Sequence, residues 1–448
     1  MYKSVIILEV NIIKIGEKYY NMDEQLLINL LQNAVSPFAC IETVSTQLKK
    51  NGFEKLEYSK SWEILPGRKY YVEHHGTALF AFTIGRDYKA NDMIRIAAAH
   101  TDYPCMRIKP NCDFKTDVYA QVNLEVYGGP ILNTWFDRPL GVAGRVALKS
   151  ADPFSPKMVT YVSKKPVIII PNLAIHMNRD VNNGVAINNQ IDLMPIIDLI
   201  PDEQKSTDYF ISFIADELGI DKNDIIDFEL NTYCMELPVY VGPKETLLSS
   251  PRLDNQTSVY ALLSSIIDGT RGDGINMIAL FDHEEIGSSS KQGAGSILLH
   301  DMLRRILRLL NNSDEQIEGS MYDSILLSVD VAHAMHPNHI SKMDITNKPV
   351  LGKGFCIKEA CSQSYATDSE VVSIVSQICE RNHIPYQRFV NRSDVRGGGT
   401  LGSIASTLLP VKTVDIGVPI LAMHSANEVM GKQDITSLRE FITAFFSL

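Results

Sequence analysis

Most of the familiar signatures of enzymatic or structural function are missing from this chain. Seven cysteines stand in 448 residues, at positions 40, 105, 112, 234, 356, 361 and 379, and none forms a Cys-x-x-Cys pair. An odd, scattered set supports neither a zinc knuckle nor a disulfide framework, so a reduced, cytoplasmic setting with structural thiols is the simplest expectation. No stretch approaches about eighteen uninterrupted apolar residues, so no transmembrane helix is expected. The short apolar run at 5–10 is broken by Glu9, and no signal peptide is read there. There is no Gly-x-Ser-x-Gly elbow, no GxxxxGK[ST] loop and no Rossmann fingerprint. His283-Glu284-Glu285-Ile286-Gly287 has glycine where an HExxH metallopeptidase helix would have its second histidine. Positive charge is also short: the formal net charge of −11 disfavours nucleic acid or an anionic membrane as partner.

What is present is an ordinary globular composition, 45% apolar and 21% charged, on a chain long enough for two domains. Three apolar runs end in ionisable residues. Residues 96–99 lead into His100-Thr101-Asp102, residues 277–281 into Asp282-His283-Glu284-Glu285, and residues 325–329 into Asp330. Carboxylates at the end of a buried strand are costly unless a cation or a catalytic task holds them there. Strands that deliver His, Asp and Glu at their carboxyl ends describe a hydrolytic metal centre on an open α/β sheet.

The pattern along the chain is α/β, interrupted. Ser36-Pro37 opens a helix that closes near Asn51-Gly52, and residues 79–84 and 93–99 read as strands. From about 108 to 227 the texture becomes that of an antiparallel sheet, with strands near 122–126, 142–148, 158–162 and 167–170 and helices near 191–200 and 209–218. The α/β pattern resumes with helices at 258–267, 297–310 and 436–446 and strands at 277–281, 325–329 and 411–417. The expected architecture is a mixed-sheet α/β metallopeptidase domain, 1–107 plus 237–448, interrupted by a smaller, predominantly β oligomerisation or lid domain at 108–236.

His100, Asp254, Glu285, Asp330 and His424 are the candidate ligands. Imidazole and carboxylate donors suit zinc, manganese or cobalt, and three carboxylates largely balance two divalent cations. Each residue alone reads more readily as an ordinary structural, exposed, turn or cap residue; the shared strand-end context makes the collective case. Asp254, just before a helical segment, is assigned as a bridge. His333, His336 and His339 recur every three residues, but Pro337 argues for a loop lining the site rather than a ligand-bearing helix. Gly397-Gly398-Gly399 is either a close backbone approach to substrate or a flexible turn.

Taken in order, Ala99-His100-Thr101-Asp102, Asn172-Leu173-Ala174-Ile175-His176, Pro251-Arg252-Leu253-Asp254-Asn255, Asp282 to Ser288, Ser328 to Asn338 and Met423-His424-Ser425 resemble the aspartyl aminopeptidase family across nearly the whole chain. That resemblance implies a cocatalytic aminopeptidase releasing N-terminal residues from short peptides by metal-activated water. It places His100, Asp254 and Asp330 around one ion, and Asp254, Glu285 and His424 around the other. Glu284 is then the general base and Asp102 the carboxylate orienting His100. It further implies a tetrahedral dodecamer, with His176 reaching a neighbouring subunit's site and Lys358 a basic position beside it. Two departures bear on specificity: Tyr103-Pro104 carries a bulky residue after the aspartate, and Arg396 to Thr400 replaces the family's usual turn. An acidic N-terminal residue is one expected preference, with Lys358 or Arg396 as its partner; a partly exposed salt bridge from Lys358 to Glu359 or another nearby acid is the other reading. A deacylase, a carboxypeptidase and an inactive scaffold subunit remain as alternatives.

Overall fold

The computed structural model describes residues 13–15, 18–20, 22–201 and 208–448; the apolar run at 5–10 lies outside the described residues. A nine-stranded mixed sheet organises the α/β part. Its order is Tyr386–Val390, Phe355–Glu359, Lys412–Gly417, Ile325–Val329, Ile94–His100, Ile275–Phe281, Ala78–Ile84, Lys69–His74 and Glu54–Leu56. The four strands from Lys412–Gly417 to Ile275–Phe281 run parallel, so their carboxyl ends share one edge. There Ile94–His100 presents His100, Ile325–Val329 leads into Asp330, and Ile275–Phe281 leads into Asp282 to Glu285.

Both faces of this sheet are covered, which is why its central strands are apolar at nearly every position. Side chains alternate across the pleat. Ala97, Ala99, Ile278 and Leu280 pack into one core with the helices Pro37–Lys50, Leu253–Asp268, Ser369–Asn382 and Lys432–Ser447. Ile96, Ala98, Met277 and Ala279 face the other core, beneath Leu298–Leu309, Asp314–Asp323 and Leu401–Leu408. Pro37–Lys50 starts where Ser36 accepts a hydrogen bond from Ala39 N at 3.2 Å with proline in the first turn, as the sequence predicts.

A six-stranded antiparallel sheet makes the second, mostly β domain. Its order is Lys157–Val162, Leu140–Leu148, Ile225–Cys234, Cys105–Thr116, Tyr119–Tyr127 and Ile196–Leu199, and the helix Tyr209–Leu218 packs Phe210 and Ile214 into its core. The helix expected over 191–200 is instead a turn followed by the strand Ile196–Leu199, paired with Tyr119 to Gln121. Pro195 would break a helix there, and the β-branched pair Ile196-Ile197 suits the edge of a sheet. Residues 167–170 contribute only isolated bridges, Ile168 to Leu140 and Ile169 to Ile196. A further five-stranded sheet, Val239–Val241, Leu247–Ser250, Glu428–Gly431, Pro419–Leu421 and Ala332–His333, lies in sequence beside several of the candidate ligands.

Candidate metal centre

The five candidate ligands, scattered from residue 100 to 424, meet in space. His100 Nε2 stands 3.3 Å from Asp254 Oδ1 and 3.5 Å from Asp330 Oδ1. His424 Nε2 stands 3.4 Å from Asp254 Oδ2 and 3.5 Å from Glu285 Oε2. The two oxygens of Asp254 therefore face different imidazoles. One donor atom each from His100, Asp254 and Glu285 lie within 4.8 Å of one another, a group able to hold a metal ion.

The donor set fits a cation on three counts. Asp254 Oδ1 and Glu285 Oε1 are buried and have no hydrogen-bond partner among the described residues, an expensive condition for carboxylates without a counter-ion. The Nε2-to-oxygen separations match the edge of a tetrahedron, about 3.3 Å, drawn with the ~2.0–2.1 Å bonds that zinc makes to nitrogen and oxygen. Each imidazole is also oriented through its other nitrogen. His424 Nδ1 lies 3.0 Å from Gly129 O, which can only accept, so that nitrogen carries the proton and the Nε2 lone pair is left toward the cluster. His100 Nδ1 lies 3.1 Å from Asp102 O and 3.3 Å from Asp102 Oδ1.

The turn after Ile275–Phe281 is held by Asp102. Its Oδ1 accepts from Glu284 N at 3.2 Å and its Oδ2 from Glu285 N at 3.1 Å. Tyr127, from the second domain, donates its hydroxyl to Asp102 Oδ2 at 2.7 Å. Behind Asp330, the strand Lys412–Gly417 approaches so closely that a Cβ at Gly417 would lie 1.8 Å from Asp330 O, so only glycine permits this packing.

The electrostatics follow from crowding negative charge in a dry place. Burial would keep His100 neutral, but Asp102, Asp254 and Asp330 push its pKa well above the usual range. Burial acts to protonate Asp254, yet His100 and His424 hold it below the ordinary carboxylate range. Glu285 is driven well up by burial and by Asp254. Glu284 rises to about 8, chiefly through burial, then through Asp330, Asp102 and Asp254, with His100 opposing.

The chain matches the family model for aminopeptidase I zinc metalloproteases (M18) over residues 30–446. The chain belongs to the M18 family. A probable M18 family aminopeptidase 2 of Clostridium novyi is 44% identical over 409 residues, covering 91% of this chain and 94% of that protein. The solved Ape4 and Nbr1 complex contains a chain 31% identical with a TM-score of 0.90, covering 95% of this chain and 86% of that one. A structure described as the S. cerevisiae mApe1 dodecamer shares the fold at 24% identity and a TM-score of 0.82, covering 94% and 95% of the two chains. The protein is thus an M18 metallo-aminopeptidase. Among the described residues, no helix is long and apolar enough to cross a membrane.

Other residues singled out in the sequence fall into distinct places on this M18 fold. Lys358 is buried, with Nζ 3.3 Å from Asp330 Oδ2 and donating to Val331 O at 3.1 Å. Of the acids that could pair with Lys358, it is Asp330 and not Glu359 that does so, in a buried rather than a partly exposed salt bridge; the pleat turns 359 outward, where it meets Arg388. Burial works against the Lys358 charge, but Asp330, Tyr365 and Asp415 outweigh it and raise its pKa. His333 lies in the short strand Ala332–His333 and lines an open cavity of about 490 Å³ with His336, His339, Phe389 and Arg396. His336 and His339 follow that strand in a loop, and no helix runs through the triplet, as Pro337 requires. His176 is exposed on the 171–195 loop and is not among the gathered residues. Tyr103 is buried, donating to Val35 O at 2.7 Å and Thr232 O at 3.2 Å, so its bulk fills the packing between domains. Two residues that support the site have no sequence signal of their own. Tyr127 is one; the other is Glu428, buried, which accepts from His424 N and Asp254 N.

Proposed function

We propose that this M18 protein is a cocatalytic two-ion aminopeptidase that removes N-terminal residues from short peptides. His100, Asp254 and Asp330 would hold one divalent ion and Asp254, Glu285 and His424 the other, with Asp254 as the bridge. Divalent ions at such a centre supply Lewis acidity and a hydrolytic nucleophile near neutral pH. Zinc is the favoured identity, and manganese and cobalt accept the same donors. The observation that carries this reading is Asp254 itself, buried, with each oxygen facing a different imidazole.

Within that centre the chain does three things. Glu284 takes a proton from the attacking water on its carboxylate and returns it to the departing amine. Asp102 orients His100 and fixes the backbone of Glu284 and Glu285. Lys358, buried against Asp330, keeps that carboxylate ionised, and Arg396, which lines the cavity with His333, provides positive charge favouring acidic substrate groups. Free-amine peptides compared with N-acylated and C-terminally varied ones test the reaction class. Cleavage confined to blocked peptides would make the enzyme a deacylase, and inactivity at full metal occupancy would make it a scaffold.

The domain at 108–236 is proposed as the assembly domain. Its 171–195 loop carries His176 and exposes Leu173, Ile175, Met177, Val185 and Ile191, apolar side chains suited to an interface. A second copy of the chain is the proposed partner, with His176 directed to that copy's site within a dodecamer. Light scattering at assay concentration should find a particle of twelve chains; a fully active monomer would remove the assembly reading and leave the chemistry in place.

A further inference from the structure

Glu428 is fully enclosed and sits at the start of the strand Glu428–Gly431. Its Oε1 accepts from the backbone N–H of His424 at 2.8 Å, and its Oε2 accepts from the backbone N–H of Asp254 at 3.0 Å. Both oxygens are thereby engaged by amides rather than facing the gathered donors. The sheet makes this reach possible. Ser250 pairs with Glu428, so the chain leaves that rung in two directions, four residues on to Asp254 and four residues back to His424.

His424 lies in the left-handed region at φ 67°, a conformation that costs free energy for a non-glycine residue and must be held by its surroundings. Three hydrogen bonds hold it: Glu428 on its N–H, Ile131 N on its carbonyl at 2.9 Å, and Gly129 O on Nδ1. We propose that Glu428 is the positioning residue of the metal centre, a two-pronged clamp that fixes Asp254 and His424 relative to each other so that both reach the same ion. The inference rests on the two-ion reading of the site. It assigns Glu428 no contact with metal or substrate.

Two variants separate the possible roles. Glu428→Gln keeps the length but turns one acceptor into a donor facing an N–H. Glu428→Asp keeps the charge but is one methylene too short to serve both amides. The full chain is stripped of metal and titrated with Co²⁺ against a competing chelator, following both affinity and the visible ligand-field spectrum, and urea unfolding of the metal-free protein is measured alongside. Loss of an outer partner of metal ligands typically costs about 10–100-fold in affinity. Both variants should lose affinity in that range at the position served by His424, with an altered Co²⁺ spectrum. Affinity retained in either variant overturns the clamp, because positioning needs both acceptors at full reach. A lower urea midpoint with unchanged affinity also overturns it, leaving only a fold-stabilising role. If a variant is recovered only from metal-supplemented cells, its rate of metal release into chelator is measured directly: faster than wild type supports the clamp, and equal or slower overturns it. A variant that stays unfolded at saturating metal counts against it as well. Wild type binding a single ion would remove the two-ion reading while leaving the Glu428 comparison interpretable for that ion.

Discussion

Tyr127 donates its phenolic hydrogen to Asp102 Oδ2 across 2.7 Å, and through that contact the antiparallel domain steadies the turn that carries Glu284 and Glu285. The same stretch supplies Gly129 O to His424. The smaller domain is therefore part of the site's framework. Tyr127→Phe removes the hydrogen bond and little volume. A hydrogen bond to a charged acceptor contributes about 1.5–3 kcal/mol, so the variant should unfold at lower urea and release metal faster. Unchanged metal retention would show that Asp102 holds the turn without help from the second domain.

Glu284→Gln should leave metal content at the wild-type level while turnover falls roughly 10²–10⁴-fold, the range for a lost general acid–base group. Metal analysis and kcat on the same preparation decide it. Near-normal kcat would move the proton transfer to another residue.

Asp254→Asn should reduce occupancy of both ion positions together, because each oxygen of Asp254 faces a different imidazole. Wild type should approach two divalent ions per chain at saturation. Loss of one ion alone in Asp254→Asn would make Asp254 a terminal ligand.

His74 gives a pH dependence that is separate from the metal centre. Burial, then the neighbouring His75, lower its pKa from the ordinary 6.5 to about 4. The unfolded chain therefore binds a proton that the folded chain refuses between those values. The stability from neutral His74 is fully present above pH 6.5 and is lost as pH falls toward about 4. In chelator-treated protein the urea midpoint should drop between about pH 7 and about pH 5, and His74→Gln should flatten that slope. An identical slope in the variant would assign the acid sensitivity elsewhere.

Substrate preference tests the finer reading of the cavity. A kcat/KM series over Asp, Glu, Leu, Met and Lys N-terminal peptides should favour the acidic residues, and Arg396→Ala should narrow that advantage while leaving Leu and Met peptides little changed. Acidic peptides ranking last would reject the basic-pocket reading and leave the aminopeptidase intact.

The strand-end residues could be read from sequence because a strand buried on both faces is a continuous apolar run, so a His or Asp that ends it is conspicuous. His100, Asp330 and Glu285 were visible in that way. The stretch at 191–200 misled because its apolar spacing fits a helix, while Pro195 forbids one and the neighbouring strand Tyr119–Tyr127 offers free rungs. The partner of Lys358 was hidden because it depends on which strand lies alongside: the rung Lys358 to Asp415 turns the lysine inward, toward the end of Ile325–Val329. Tyr127 and Glu428 left no trace in the sequence, since their roles exist only once separate sheets have met.

The gathering of donors from residue 100 to residue 424 also has a consequence for how the protein comes into being. During synthesis His100, Asp254, Glu285 and Asp330 emerge in turn, but His424 and Glu428 follow only after nearly a hundred further residues. Until they arrive, the nascent chain lacks one imidazole and the carboxylate that holds it. A peptidase built this way completes its site only after the stretch from His100 to Asp330 has emerged and had time to fold out of its own reach.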